Sequence, residues 1–236
     1  MYKLYNGDCL EVMKEIPDKS VDMILCDLPY GTTACKWDLI IPVEILWEQY
    51  NRIAKEEAAI VLFSTQPFTT LLIHSNLKNY RYNWYWKKNI ITGFSYARFQ
   101  PMRTIEDICV FYKKAGKYNP IGLKESTRSI RIRNDKNGIN GYALNKAHKP
   151  KYTGYPNHLL IYPKEFGLHP TQKPVSLLEY LIKTYTNENE LVLDNCMGSG
   201  STGVAALNTN RRFIGIEKED NYYEIAKERI EQCFTN

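Results

Sequence analysis

A largely apolar run, Val21-Asp22-Met23-Ile24-Leu25-Cys26, stops at Asp27-Leu28-Pro29-Tyr30-Gly31. Turns after strands favour Gly, Asn or Ser, whereas this one presents a carboxylate, a rigid ring and an aromatic in a row. A second stretch, Gly198-Ser199-Gly200-Ser201-Thr202-Gly203, matches G-x-G-x-x-G. It follows the strand-like run Leu191–Asp194 and opens a helical pattern, and the next strand-like run ends in Glu217. Glycines let a backbone approach a ligand at a helix start, and an acid after the next strand suits ribose hydroxyls. These residues point to a bound nucleotide. Asp8, between the run Tyr2–Asn6 and a helical pattern, has two readings. It is either a helix N-cap or a carboxylate reaching a purine amino group at the edge of the same pocket.

Seven strand-like runs must position these groups: Tyr2–Asn6, Val21–Cys26, Ala59–Ser64, Tyr82–Lys87, Asp107–Tyr112, Leu191–Asp194 and Phe213–Glu217. Helical patterns lie between several of them, at Cys9–Ile16, Val43–Glu57, Pro174–Thr186, Ser201–Thr209 and Asp220–Gln232. Strands alternating with helices predict an α/β domain with a mostly parallel sheet. The runs at 82–87 and 107–112 have little helical punctuation between them and are expected as an antiparallel pair at one edge. A dinucleotide oxidoreductase usually carries further βαβ units after its glycine motif. Here one helix follows Glu217, so the remaining strands come from the N-terminal side, giving a circularly permuted sheet with both chain ends beside the nucleotide.

The net charge of +5 is unevenly spread over the 236 residues. Between Lys113 and Leu168 there are 12 Lys and Arg against three acids, a net of +9, which leaves −4 for the remainder. The same segment carries Tyr118, Tyr142, Tyr152, Tyr155 and Tyr162, is rich in Gly and Pro, and shows little periodicity. It reads as an inserted, loop-rich region, either a solvated lysine-rich loop or the contact surface for a polyanion. Six scattered cysteines with no C-x-x-C pair, Cys9, Cys26, Cys35, Cys109, Cys196 and Cys233, read as reduced thiols. The four dispersed histidines suggest no metal site. No apolar run approaches the ~20 residues that span a bilayer. The start, MYKLYNGDCLEVMKEIP, lacks the basic and apolar regions of a signal peptide, so the cytoplasm is the expected location.

Taken together, these motifs resemble the amino-group DNA methyltransferases that use S-adenosylmethionine. Asp27-Leu28-Pro29-Tyr30 is similar to their catalytic [DNS]-P-P-[YFW], with Leu28 replacing the first Pro. VLDNCMGSGSTG resembles their glycine-rich cofactor motif, with Asn195 and Cys196 where Pro and Phe are usual. HPTQKPVSLLEYLI (169–182) resembles the motif that leads into the preceding helix, and RTIEDICVFYKK fits as well. The order is catalytic motif, basic segment, cofactor motif, which is that of the β group. The resemblance covers nearly the whole chain outside 113–168.

The resemblance implies a Rossmann-like, seven-stranded, circularly permuted α/β sheet. Residues 1–112 would form the catalytic half, 113–168 an inserted target-recognition region and 169–236 the cofactor-binding half. Asp27 and the Leu28 carbonyl would accept the two hydrogens of an exocyclic amine, Pro29 would fix the loop, and Tyr30 would stack on an extruded base. Asp194, Gly198 and Gly200 would hold the methionine part of the cofactor and Glu217 the ribose. Asp8, with Cys9 beside it, would meet the adenine, and Thr171 and Lys173 the cofactor carboxylate. Arg128, Arg131 and Arg133 would read double-stranded DNA, and residues 89–104 would help clamp the flipped base. Dimers are common in that group, so a homodimer is among the expectations, although no stripe in the sequence marks its surface. In this family Asp at the first motif position goes mainly with adenine N6 and Ser mainly with cytosine N4, so cytosine N4 is the second reading. The alternatives are a nicotinamide-dependent oxidoreductase, built on the GSGSTG turn, and a nucleic-acid binder that keeps the fold without activity. RNA and protein-glutamine methyltransferases favour Asn where this chain has Asp27.

Overall fold

The computed structural model describes residues 1–31, 40–127, 151–165 and 172–234. In chain order the strands are β1 (Tyr2–Asn6), β2 (Val21–Asp27), β3 (Ala54–Ser64), β4 (Tyr80–Thr92), β5 (Arg103–Phe111), β6 (Lys124–Glu125), β7 (Tyr152–Thr153), β8 (Leu159–Ile161), β9 (Leu191–Asp194) and β10 (Arg212–Glu217). Along β2 successive side chains point to opposite faces. Ile24 and Cys26 join one core cluster with Ile60 and Leu62, while Met23 and Leu25 join a second with Val61 and Phe63. A strand covered on both faces is why its sequence runs apolar without alternating.

Helices α1 (Cys9–Met13), α2 (Val43–Ile53) and α3 (Phe68–Ser75) supply the first cluster. Helices α4 (Val175–Tyr185), α5 (Ser201–Asn208) and α6 (Asp220–Gln232) supply the second. In α2 the buried Leu46, Trp47, Tyr50 and Ile53 recur at helical spacing and form one stripe.

Eight strands form the main sheet in the order β1-β10-β9-β2-β3-β5-β4-β8. The first five are parallel; β5 runs antiparallel to β3 and β4 antiparallel to β5. All seven strands anticipated from the sequence are present, and the expected seven-stranded sheet gains β8, which pairs in parallel with β4 through Tyr85↔Leu159. The chain leaves β9 through α5 on one face and leaves β2 through α2 on the other. The topological switch point therefore lies between β9 and β2, and a ligand crevice is expected outside their carboxyl ends. The two ends of the described chain meet, with the Tyr2 and Phe234 rings stacked at 5.6 Å.

Two local expectations change. The helix expected to run to Glu57 ends at Ile53, because Ala54 pairs with Val21 and Lys55 reaches Asp22 at 2.6 Å, which starts β3 early. Helix α3 was not anticipated, since Phe68–Ser75 is short and follows Pro67. The chain divides into two compact units, one of residues 1–119 with 158–236, the other of residues 120–157. The smaller unit contains the β6–β7 pair, with Gly122 and Gly154 in the left-handed region.

Candidate active site

The five parallel strands end on one cavity of about 620 Å³. Each contributes near its carboxyl end: Asp8 after β1, Glu217 on β10, Asp194 on β9, Asp27 on β2 and Thr65 after β3. The cavity thus brings Asp27, Leu28, Pro29 and Tyr30 together with Asp8, Cys9, Lys173, Asp194, Gly198 and Glu217, whereas Gly200 is not among its described lining residues.

On the β2 side, both oxygens of Asp27 are engaged. The Tyr30 hydroxyl donates to Oδ1 at 2.5 Å, and the Lys173 ammonium pairs with Oδ2. Burial, reinforced by the Asp27 charge, pushes the Tyr30 phenol well above its ordinary range, so it stays a neutral donor. Its ring packs at 5.5 Å from that of Phe68. Leu28 and Pro29 line the same wall.

Lys173 is 7 % exposed and lies 5.1 Å above the Phe63 ring centroid. Its Nζ is 3.6 Å from Glu106 Oε2, inside ion-pair range but beyond a hydrogen bond, and that buried oxygen has no hydrogen-bond partner among the described residues. The other oxygen, Glu106 Oε1, is held by Lys88. Four charges of alternating sign therefore run Asp27, Lys173, Glu106, Lys88. Burial alone would raise Glu106, but the two ammoniums outweigh it and hold its carboxyl below the usual range. Burial alone would lower Lys173, and the two carboxylates reverse that and raise it. All four side chains line the cavity.

On the β9–β10 side, the acids are held by backbone. Glu217 Oε2 accepts the Gly198 N–H at 2.8 Å and Oε1 accepts that of Glu219 at 2.9 Å. Asp8 caps α1 by accepting the Leu10 N–H at 3.0 Å, and its Oδ2 lies 3.3 Å from Lys218. The capping reading of Asp8 and its position on the cavity wall both hold. Asp194 accepts the Cys196 N–H at 3.1 Å, and burial pushes its carboxyl up to about 6 against the Thr202 hydroxyl and that N–H. Burial also pushes the Cys26 thiol up to about 12, so it stays protonated. Cys9 and Cys196 share a thiol contact at the cavity wall, and that contact together with burial keeps the Cys9 thiol protonated as well.

Packing fixes the glycine turn. Gly200 sits at φ +79°, where a Cβ would come within 2.9 Å of the Ala226 Cβ. A Cβ at Gly203 would meet Ile230 and Phe213 at 2.4–2.8 Å, so this glycine lets α5 close onto α6 and β10. Arg229 of α6 then donates to the Ser199 carbonyl at 2.6 Å and to the Ser201 hydroxyl at 3.2 Å. Tyr50, fully buried in α2, donates to Asn195 Oδ1 at 2.5 Å, tying the β9 turn to the opposite layer.

Lys88, Glu106, Arg229 and Tyr50 were not singled out from sequence. A signal exists for two of them. Glu106 continues the buried alternation Ile108, Val110, and Lys88 continues Trp84, Trp86, so each places a charge where the core stripe predicts an apolar residue. Lys173, assigned by the resemblance to the cofactor carboxylate, is here engaged by Asp27. Thr171, Arg128, Arg131 and Arg133 lie outside the described residues. Among the described residues no cluster of His, Cys, Asp and Glu could hold a metal ion, and no helix is long and apolar enough to cross a membrane.

Comparison with known proteins gives this cavity a lineage. A family model described as DNA methylase matches residues 21–228. The DNA adenine methyltransferase YhdJ of Escherichia coli (strain K12) is 28% identical over 254 residues, covering 97% of this chain and 82% of that protein. The crystal structure of the M1.HpyAVI–SAM complex superposes with a TM-score of 0.66 at 25% identity, covering 98% of this chain and 99% of that one. The PvuII DNA methyltransferase (cytosine-N4-specific) superposes at 0.70 with 14% identity, covering 99% and 93%, a likeness of fold. The sheet is thus the Rossmann-like sheet of DNA methyltransferases, and the oxidoreductase alternative built on the glycine turn gives way. The chain belongs to the N6/N4 DNA methylase family.

Proposed function

We propose that this protein transfers a methyl group from S-adenosylmethionine to N6 of adenine in double-stranded DNA, acting on a base flipped out of the helix. The observation that carries the reading is the shared cavity. A strand-end carboxylate beside a backbone carbonyl and an aromatic opens into the same space as a glycine turn with its ribose-suited acid. The 28% identity to a DNA adenine methyltransferase, running through most of both chains, supports adenine as the base.

The residues lining the cavity suit the cofactor. Glu217 keeps lone pairs free for a ribose diol after accepting two N–H groups, and Asp8 offers a carboxylate at the adenine end. Met197, Leu28 and Cys196 provide apolar wall. Bound there, S-adenosylmethionine supplies an electrophilic sulfonium methyl. Asp27 and the Leu28 carbonyl accept the two amino hydrogens and turn the nitrogen lone pair toward that methyl. Because that lone pair is delocalised into the ring, orientation and a carboxylate beside the developing positive charge do most of the work. Glu106 and Lys173 keep the surroundings of Asp27 ordered.

DNA contact is assigned to two features. The arm between Thr92 and Arg103, both on the cavity wall, carries Phe94 and Phe99 at 84% and 86% exposure together with Arg98. Exposed aromatics beside arginines suit the space left by a flipped base. The basic segment 113–168 supplies charge for phosphates and the residues that read sequence. The test is transfer of a tritiated methyl to unmethylated genomic DNA, followed by nucleoside analysis. Label in N6-methyladenine is the expected result. Label in N4-methylcytosine overturns the base assignment, and no label overturns the activity.

A further inference from the structure

Each oxygen of Asp27 already serves one partner, so an incoming amine must share an acceptor with it. Oδ1 holds the Tyr30 hydroxyl and Oδ2 holds the Lys173 ammonium. That ammonium also opposes the reaction electrostatically, because the amine gains positive charge as the methyl arrives, and like charges at contact distance in a buried site repel strongly. A second seat lies beside it. Glu106 Oε2 is buried, has no hydrogen-bond partner among the described residues and sits 3.6 Å from Lys173 Nζ. Its sister oxygen is anchored by Lys88, so the carboxylate is held still with one acceptor unused. A buried carboxylate oxygen left without a hydrogen bond is costly unless something else uses it.

We infer that Lys173 is a displaceable stand-in for the target amine: its pairing with Asp27 Oδ2 gives way to one with Glu106 Oε2 when the base enters. The movement is on the order of 1 Å, the difference between ion-pair and hydrogen-bond distance. No bond is made or broken and the net charge of the four groups is unchanged. Asp27 then accepts an N–H from the base with Oδ2, and the ammonium moves away from the nitrogen that becomes cationic. The Phe63 ring face, 5.1 Å below Nζ, gives the ammonium an apolar surface over which to move. Lys173 and Glu106 are positioning residues in this scheme, since they act through Asp27. The inference rests on the methyltransferase reading above.

The test is a double-mutant cycle in the full-length protein, read as single-turnover methyl transfer to unmethylated genomic DNA, with S-adenosylmethionine affinity measured in parallel by calorimetry. Glu106→Gln keeps the shape but removes the charge of the second seat. It is expected to slow transfer at least ~10-fold, with cofactor affinity within about twofold of the parent. Adding Lys173→Met removes the group that needs the seat, and the double variant is expected to recover at least half of the lost rate on a logarithmic scale. A network that only braces Asp27 predicts the reverse, with the double variant as slow as Glu106→Gln or slower. A Glu106→Gln protein with the parent's rate, or a double variant without recovery, overturns the inference. If circular dichroism shows Glu106→Gln unfolded, Glu106→Asp is read in its place; it draws the carboxylate away from Lys173, and the same slowing and the same recovery are expected. The parent's own activity separates the two levels: a parent that methylates no DNA overturns the function, whereas an active parent without recovery overturns only the exchange.

Discussion

Glu217 and Asp27 both end parallel strands on one cavity, yet they are held by different means. Glu217 is gripped by two backbone N–H groups, that of Gly198 in the turn locked by Gly203 and Arg229 and that of Glu219 at the start of α6. Among the described residues the Asp27 carboxylate is held by side chains, a tyrosine hydroxyl and an ammonium that has another carboxylate within 3.6 Å. Backbone donors are placed by the fold and do not rearrange, which suits the ribose recognition proposed for Glu217. Side-chain partners can exchange, which suits the role proposed for Asp27, to receive a base, support a change of charge and release the product. On the proposed reading the cavity joins a fixed half to an exchangeable half.

The largest effect expected from breaking this contrast is on the exchangeable side. Asp27→Ala should reduce single-turnover methyl transfer by about 10³-fold or more, while calorimetry shows S-adenosylmethionine affinity within about threefold of the parent. On the fixed side the pattern inverts. Glu217→Gln should weaken cofactor affinity by about 10–100-fold, the loss of one or two charge-assisted hydrogen bonds, with the rate at saturating cofactor changed by less than about threefold. Equal losses of rate and affinity in both variants would erase the distinction between the halves.

Some of this contrast is legible in the sequence. The glycine spacing, the acid after the next strand and the Asp-Leu-Pro-Tyr ending are all local, and local patterns locate turns, caps and strand ends. The parallel sheet is legible for the same reason, since continuous apolar runs such as Met23–Cys26 mark strands buried on both faces. Glu106 and Lys88 are harder to see because their meaning depends on β4 pairing with β5, a register that no single stretch encodes. Arg229 reaches back 30 residues to Ser199, and Tyr50 reaches 145 residues to Asn195, so both roles exist only once the layers have packed. Lys173 was legible as a motif residue, but its partner was not.

A smaller effect separates the two sides in stability. Asp194 is raised to about 6 by burial, so folding favours its protonated form. Its contribution is fully present below about pH 4 and is lost as the pH climbs through about 6. Asp194→Asn removes this dependence. Relative to the parent it should gain roughly 2–3 kcal/mol at pH 7.5 and almost nothing at pH 4, read from urea unfolding at the two pH values. A gain of equal size at both would place the effect outside ionisation. The smallest effect belongs to Asp8. Asp8→Ala should cost about 0.5–1 kcal/mol through loss of the α1 cap and weaken the cofactor only a few-fold, whereas Asp8→Asn should restore the stability.

The most direct test of the central claim, that the Asp27 end of this cavity methylates adenine, is made in a host free of DNA methylation. The parent and Asp27→Ala are expressed separately, and modified bases are mapped across the genome. The account predicts N6-methyladenine in a defined sequence context with the parent and none with Asp27→Ala at equal protein level. N4-methylcytosine with the parent, or persistent methylation with Asp27→Ala, would contradict it.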